Sequence, residues 1–283
     1  MQTEDHISLE EIPFSLDHTL GCGQAFRWKR DRGIWKGVAG NRYIQIWQKG
    51  NMLFFTGAEE EYIRNYFQLD LDLESVLSGI NRDTHISSAI ENCYGLRIIK
   101  QPEWECIASY ICATNMNIPR IMGCIEKISK RLGRKIPYKK EEIFEFPHPT
   151  DIAGSDLCNL CECRLGYRAE YLYETARHVL EFPELIPSIY KLPYEKAKTR
   201  LMEMKGIGPK AADCILLFAF NKYESFPVDV WIRRIMNRYY LASDLSGPLS
   251  LNEYKKTGDF ARDYFGSFAG YAQEYLFCNR NSM

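Results

Sequence analysis

The sequence predicts an α+β protein, with an N-terminal twisted antiparallel sheet and helices followed by an all-α region. Three observations carry that reading. Residues 24–57, QAFRWKRDRGIWKGVAGNRYIQIWQKGNMLFFTG, are short β-branched and aromatic runs broken at Arg32-Gly33, Ala39-Gly40-Asn41 and Lys49-Gly50-Asn51, the punctuation of a meander. From Pro102 onward apolar residues recur at helical spacing, as at Trp104, Ile107 and Ile111. Hydrophobic residues make up 46% of the 283-residue chain, enough for two or three packed cores.

The elements follow in order. After the meander, EEEYIRNYFQL and DLESVLSGINRD read as two helices. PEWECIASYICATN begins the helical region, and IPRIMGCIEKISKRLG starts a further helix that stops at Gly133. PYEKAKTRLMEM, KAADCILLFAFN, PVDVWIRRIMNRYY and FAGYAQEYLFCN complete the set. Neither an internal repeat nor a low-complexity linker interrupts them, so the division falls near residue 100: a sheet domain over 1–101 and a helical region over 102–283.

No apolar run approaches the length of about eighteen residues that a membrane helix needs, and MQTEDHISLEEIPF lacks a signal pattern. A soluble intracellular protein is the expectation, and the short termini favour a prokaryotic cytoplasm over a nucleus. The ten cysteines are scattered, several inside apolar helical runs, where a reduced thiol behaves as a small hydrophobe. Cys158, Cys161 and Cys163 match no standard zinc spacing, which leaves free thiols on a short helix as the rival to a metal site. The net charge of −1 announces no nucleic-acid partner, yet it is unevenly spread. The first 83 residues hold 13 acidic and 9 basic side chains, the remainder 24 and 27, with basic clusters at 127–140 and 191–238. Such clusters are usually solvated faces unless a motif brings phosphate beside them.

LMEMKGIGPKAADCILL supplies such a motif. It reads as helix, tight turn, helix. Gly206 and Gly208 allow unusual backbone angles, Ile207 turns into the core, and Pro209 suits a first helical position. Exposed amides at that helix start suit a phosphate. A Gly-x-Gly turn alone is equally an ordinary interhelix connection. Lys210 adds chemistry: near a helix start and flanked by apolar residues, its ammonium should be destabilised in favour of the nucleophilic amine. Asp229, returned by one apolar helix and the NKYESFP connection, would stabilise a cation-like sugar carbon as a base departs.

KGIGPK followed by PVDVW resembles the helix-hairpin-helix, Gly/Pro-rich loop and aspartate of base-excision DNA glycosylases, and the lysine resembles that of their bifunctional members. GCGQAFRW, SYICATNMNIPRI, LGYRAEYL and AGYAQEYLF narrow the likeness to the 8-oxoguanine DNA glycosylase family, in order from about residue 10 to 278. The resemblance implies a helix-hairpin-helix glycosylase region of two helical subdomains flanking a cleft. It implies excision of 8-oxoguanine from duplex DNA, preferably opposite cytosine, through a lysine Schiff base with strand cleavage by β-elimination, and a monomer without membrane contact.

Residue by residue, the resemblance makes Lys210 the nucleophile and Asp229 the stabiliser of the sugar cation. Gly23 would offer its carbonyl to the N7 hydrogen that 8-oxoguanine has and guanine lacks. Cys214 and Phe277 would sandwich the flipped base beside Pro227, and Gln273 would bond its Watson–Crick edge. Gln273 with Phe277, and Lys210 with Cys214, are i, i+4 pairs on helix faces. Tyr167 is the implied wedge, with Asn115, Arg120 and Arg168 holding the widowed cytosine. Asn117, Gly206, Ile207, Gly208 and Trp231 would meet the DNA backbone. Two departures stand out: Met116 replaces the middle of the family's usual three asparagines, and Trp231 stands where a histidine is expected. No metal and no cofactor are expected. Only Cys278 lies near the end, against the four C-terminal cysteines of iron–sulfur relatives. A cation held by hairpin carbonyls would leave no trace in sequence. The rival readings are another glycosylase of the superfamily, acting on alkylated bases or oxidised pyrimidines, and a non-catalytic DNA-binding module.

Overall fold

The structure, a computed structural model, describes residues 4–138, 141–242 and 247–282. Five antiparallel strands form the sheet: β1 (Asp5–Ser8), β2 (Trp28–Asp31), β3 (Ile34–Ala39), β4 (Arg42–Lys49) and β5 (Met52–Thr56), in the order β1-β5-β4-β3-β2. The three predicted turns connect β2 through β5. Register places Trp35 opposite Ile46 and Ile46 opposite Phe55, one buried row across one face. The helices Leu16–Gly21 and Glu60–Phe67 contribute Leu16, Ile63 and Phe67 to that core. β1 escapes sequence reading because Asp5-His6-Ile7-Ser8 carries one apolar residue; pairing with β5 supplies the rest.

The larger core is helical. Cys106 and Ile111 from Glu103–Ala113, Ile215 and Ala219 from Pro209–Phe220, and Tyr271 and Tyr275 from Ala269–Cys278 are fully buried together. Leu73, Val76, Ile80 and Ile86 join it, so helices Leu73–Ile80 and Thr84–Asn92 pack with the helical side although they precede residue 100. Thr84–Asn92, Arg168–Glu181 and Leu251–Phe265 are not among the predicted helices. Caps define two of them: Asp83 accepts from the amides of His85 and Ile86, and Ser250 from that of Glu253.

Two further features bear on the sequence reading, and the first corrects it. Cys93 and Cys278 are joined in a disulfide with Cα atoms 6.5 Å apart. Their 185-residue separation gives no spacing signal. Within the 127–140 basic cluster, Arg131 meets Glu162 at 2.7 Å, Lys130 and Lys135 approach Glu142, and Arg134 approaches Glu145 and Asp151, surface pairs in keeping with a solvated face. Lys139 and Lys140 lie outside the described residues. Among the described residues no helix is long and apolar enough to cross a membrane, and no group of three or more His, Cys, Asp or Glu could hold a metal. Cys158 and Cys161 are exposed thiols on the short helix Leu157–Cys161, and Cys163 is buried.

Candidate active site

The hairpin is built from helix Tyr194–Met202, a turn, and helix Pro209–Phe220. Gly206 takes φ +87°, and a Cβ there would lie 2.8 Å from the Tyr171 ring, so both conformation and space require glycine. Gly208 differs from expectation: its φ of −92° and ψ of 178° are open to any residue. Its exposed backbone offers close approach instead. Ile207 is buried, and Pro209 stands at the first helical position before the Ala212 amide bonds the Gly208 carbonyl at 2.9 Å.

Lys210 follows on the cleft wall, exposed to the cleft on one side. Its ammonium lies 5.4 Å from the Tyr110 ring centroid. Its pKa runs opposite to the expectation from sequence. Cys214, by charge and hydrogen bond, together with Asp229 and Glu274, outweighs desolvation and holds the lysine above its ordinary value. Nearby acceptors therefore favour the ammonium, and a proton must leave before the amine can attack. Burial drives the Cys214 thiol up to about 11, although Lys210 pulls it down. Asp229 does not lie inside its helix as the PVDVW pattern suggested. It is the N-cap of Val230–Met236, its Oδ1 accepting from the Ile232 amide at 2.8 Å. That bond fixes one carboxylate oxygen and orients the other.

Lys210 and Asp229 line a cavity of about 250 Å³ that also exposes Gly23, Cys214 and Pro227. Gln273 and Phe277 close it from the C-terminal helix. Gly23 has φ +91°, and Ile118 Cδ1 would lie 3.2 Å from a Cβ at this position, so a side chain here would both strain the backbone and crowd the cavity. A larger cleft of about 790 Å³ adjoins, sharing Lys210 and Asp229 and reaching Asn115, Met116, Gly208 and Arg234.

The remaining predicted residues are not gathered in the same way. Asn115 is exposed at φ +53°, and Asn117 caps helix Ile118–Leu132 through a 3.1 Å bond from the Arg120 amide. Arg120 is exposed. Tyr167 is 50% exposed and rests edge-on against Tyr171, the posture of a side chain that can enter a gap. Arg168 is only 7% exposed. Its Nε donates to the Thr114 carbonyl at 2.7 Å, its other nitrogens bond Thr114 and Leu165 carbonyls, and its guanidinium covers the Tyr167 ring. In this conformation three of its five N–H donors are committed to protein. Trp231 is exposed, with Arg234 stacked 5.2 Å from its ring centroid.

Sequence reasoning passed over two buried acids. Asp213, fully buried between Lys210 and Cys214 in sequence, accepts from Tyr194, Lys198 and Tyr254 at 2.6–2.7 Å. Tyr254 in turn accepts from the Val228 amide at 3.4 Å, beside Asp229. Glu274 lines the 250 Å³ cavity next to Gln273. The available signal was an acid inside each apolar run, KAADCILL and AGYAQEYLF.

A hairpin presenting a lysine, a capped aspartate facing it and a cavity between them define a helix-hairpin-helix base-excision protein. Residues 108–256 match the HhH-GPD superfamily base excision DNA repair protein model, and residues 6–107 match the 8-oxoguanine DNA glycosylase N-terminal domain. The chain is 34% identical to a probable N-glycosylase/DNA lyase of Methanothermobacter thermautotrophicus, over 77% of this chain and 73% of the relative. It superposes on the apo form of the Clostridium acetobutylicum 8-oxoguanine glycosylase/lyase with a TM-score of 0.89 at 32% identity, covering 98% of this chain and 97% of that one. The same clostridial protein bound to double-stranded DNA with cytosine opposite 8-oxoguanine superposes with a TM-score of 0.88 at 31% identity, covering 100% and 98%. The chain belongs to the HhH-GPD superfamily of base excision DNA repair proteins, in its 8-oxoguanine DNA glycosylase/lyase family.

Proposed function

We propose that the protein excises 8-oxoguanine from duplex DNA, preferably opposite cytosine, and then cleaves the strand through a Schiff base on Lys210. The supporting observation is convergence. Lys210 and Cys214, Asp229, Gly23, and Gln273 and Phe277 come from four separate segments and face one cavity of about 250 Å³. The base enters only after leaving the stack. The Gly23 carbonyl accepts the N7 hydrogen of 8-oxoguanine; guanine would present a lone pair there and be repelled. Phe277 and Cys214 hold the ring faces. As the N-glycosidic bond breaks, its electron pair leaves with the base, and the Asp229 carboxylate stabilises the charge developing at C1′.

The Lys210 ammonium first gives up its proton to a neighbouring acceptor. The amine then bonds C1′, and opening of the sugar leaves an iminium. Loss of a C2′ proton and cleavage of the C3′–O bond follow as β-elimination. Tyr167 fills the gap, and Asn115, Arg120 and Arg168 attend the orphaned cytosine. For Arg168 that role falls to the N–H groups that the Thr114 and Leu165 carbonyls do not occupy, or requires release from those carbonyls. Asn117, the hairpin turn 206–208 and Trp231 meet the DNA backbone. The protein acts as a monomer without a resident cofactor, in a cytoplasmic, nucleoid-associated setting, and its sheet domain ends near residue 101.

Borohydride trapping tests this reading. Wild type should form a covalent adduct with a duplex carrying 8-oxoguanine opposite cytosine, and Lys210→Gln should form none while still binding the duplex. Normal trapping by the variant would remove Lys210 as the nucleophile.

A further inference from the structure

We propose that Glu274 is a positioning residue that turns the Gln273 amide so that its oxygen faces the base, tuning the cavity to purines with a donor-rich Watson–Crick edge. The inference rests on the base-excision reading above. An amide side chain can present either end, and its surroundings decide which. An ionised carboxylate accepts only, so it draws the amide nitrogen toward itself. Glu274 follows Gln273 on the C-terminal helix, the Gln273 side chain helps hold the Glu274 carboxyl down, and both line the 250 Å³ cavity. Gln273 is 4% exposed, and its Oε1 is buried without a hydrogen-bond partner. A buried carbonyl oxygen left unpaired is costly unless a ligand completes it.

The chemistry of the completing ligand follows. 8-Oxoguanine offers N1–H and N2–H₂ on its Watson–Crick edge, and both are donors toward Oε1. 8-Oxoadenine offers an N1 lone pair there, which Oε1 repels. The carboxylate is itself held in place: Cys22 Sγ donates to Glu274 Oε2 at 3.4 Å, and Gln24 Nε2 approaches Cys22 Sγ at 3.1 Å. The acceptor on Gln273 is thereby tied to the segment that carries Gly23.

Burial, reinforced by the Asp229 charge, pushes the Glu274 carboxyl up to about 7, against the opposing pull of Cys22, Gln273 and Lys210. Cys22 faces it from the turn after Leu16–Gly21, Lys210 and Cys214 from the hairpin helix, Tyr110 from Glu103–Ala113, and Asp229 from the start of Val230–Met236. Once protonated, Glu274 can donate as well as accept, and the amide is free to turn. Selection is then strong above that pH and relaxed below it.

The experiment compares single-turnover excision of 8-oxoguanine and 8-oxoadenine, each opposite cytosine, by wild type and Glu274→Gln at pH 6 and pH 8. At pH 8 the variant should narrow the wild-type preference by about 5- to 150-fold, the range for one buried group left mispaired. The wild-type preference should fall between pH 8 and pH 6, and that of the variant should stay flat. A merely structural role would slow both substrates together and leave the ratio unmoved. A variant that keeps the wild-type ratio and pH profile overturns the inference. The wild-type pH comparison needs no variant, and a flat profile there overturns it equally. Wild type that excises no 8-oxoguanine would overturn the proposed function and this inference together, an outcome distinct from normal excision with an unchanged ratio.

Discussion

In the base cavity, Lys210, Asp229, Gly23 and Gln273 already face one volume, whereas across the cleft Asn115, Arg120, Tyr167 and Arg168 spread over separate elements and Arg168 commits three of its N–H donors to protein carbonyls. The difference follows from what carries each group. Lys210, Cys214, Gln273 and Phe277 project from helices whose other faces form the main core, so packing fixes their positions. The groups across the cleft sit on the turn at 114–117, the exposed start of one helix, and the loop end at Tyr167 and first residue, Arg168, of another. Loops of that kind are positioned by a scaffold yet free to move. On the proposed function, the cavity is preorganised for the lesion, and the opposing side would be completed on binding DNA.

The largest break in this contrast should come from Asp229→Asn. Asparagine caps a helix as well as aspartate, so stability should hold while excision falls by about 10²–10³-fold; near-normal single-turnover rates would move Asp229 out of the chemistry. Arg168→Met should act differently. It leaves the Thr114 and Leu165 carbonyls without their charged donor and should cost about 1.5–3 kcal/mol in denaturant unfolding, a loss that Arg120→Met should not share. Unchanged stability in the Arg168 variant would mean that its carbonyl contacts are incidental.

Arg120→Met sharpens the comparison at the opposite base. It should narrow the preference for cytosine over adenine by about 5- to 150-fold while excision itself survives, since the damaged-base cavity is elsewhere. Parallel assays on the two duplexes check it, and an unaltered ratio would remove Arg120 from partner reading. The smallest effect belongs to Arg234. It is exposed and stacked on Trp231, while neighbouring Arg233 is bound by Glu253 at 2.6 Å. Arg234→Gln should reduce the salt slope of DNA binding by about 0.9 in log–log terms, the loss of one phosphate contact. An unaltered slope would place Arg234 off the DNA path.

The sequence by itself determined four strands of the sheet, the three turns between them, the helices that carry the site and the hairpin, because each is written in local periodicity, glycine placement and turn chemistry. Its resemblance to the 8-oxoguanine DNA glycosylase family also picked out seven residues that the fold gathers around one cavity, and the i, i+4 spacing of Lys210 with Cys214 and of Gln273 with Phe277 agreed with it. The tertiary structure alone decided the electrostatics. Lys210 looked destabilised as an ammonium because its sequence neighbours are apolar, yet Asp229 and Glu274 arrive from 19 and 64 positions further along the chain and help reverse the direction. The Cys93–Cys278 link, the surface pairs of the 127–140 basic cluster and the partly occupied Arg168 guanidinium were hidden for the same reason. Helical and strand periods report which face of an element is buried. Charge interactions and hydrogen bonds between distant segments depend on distances that only the packed chain sets.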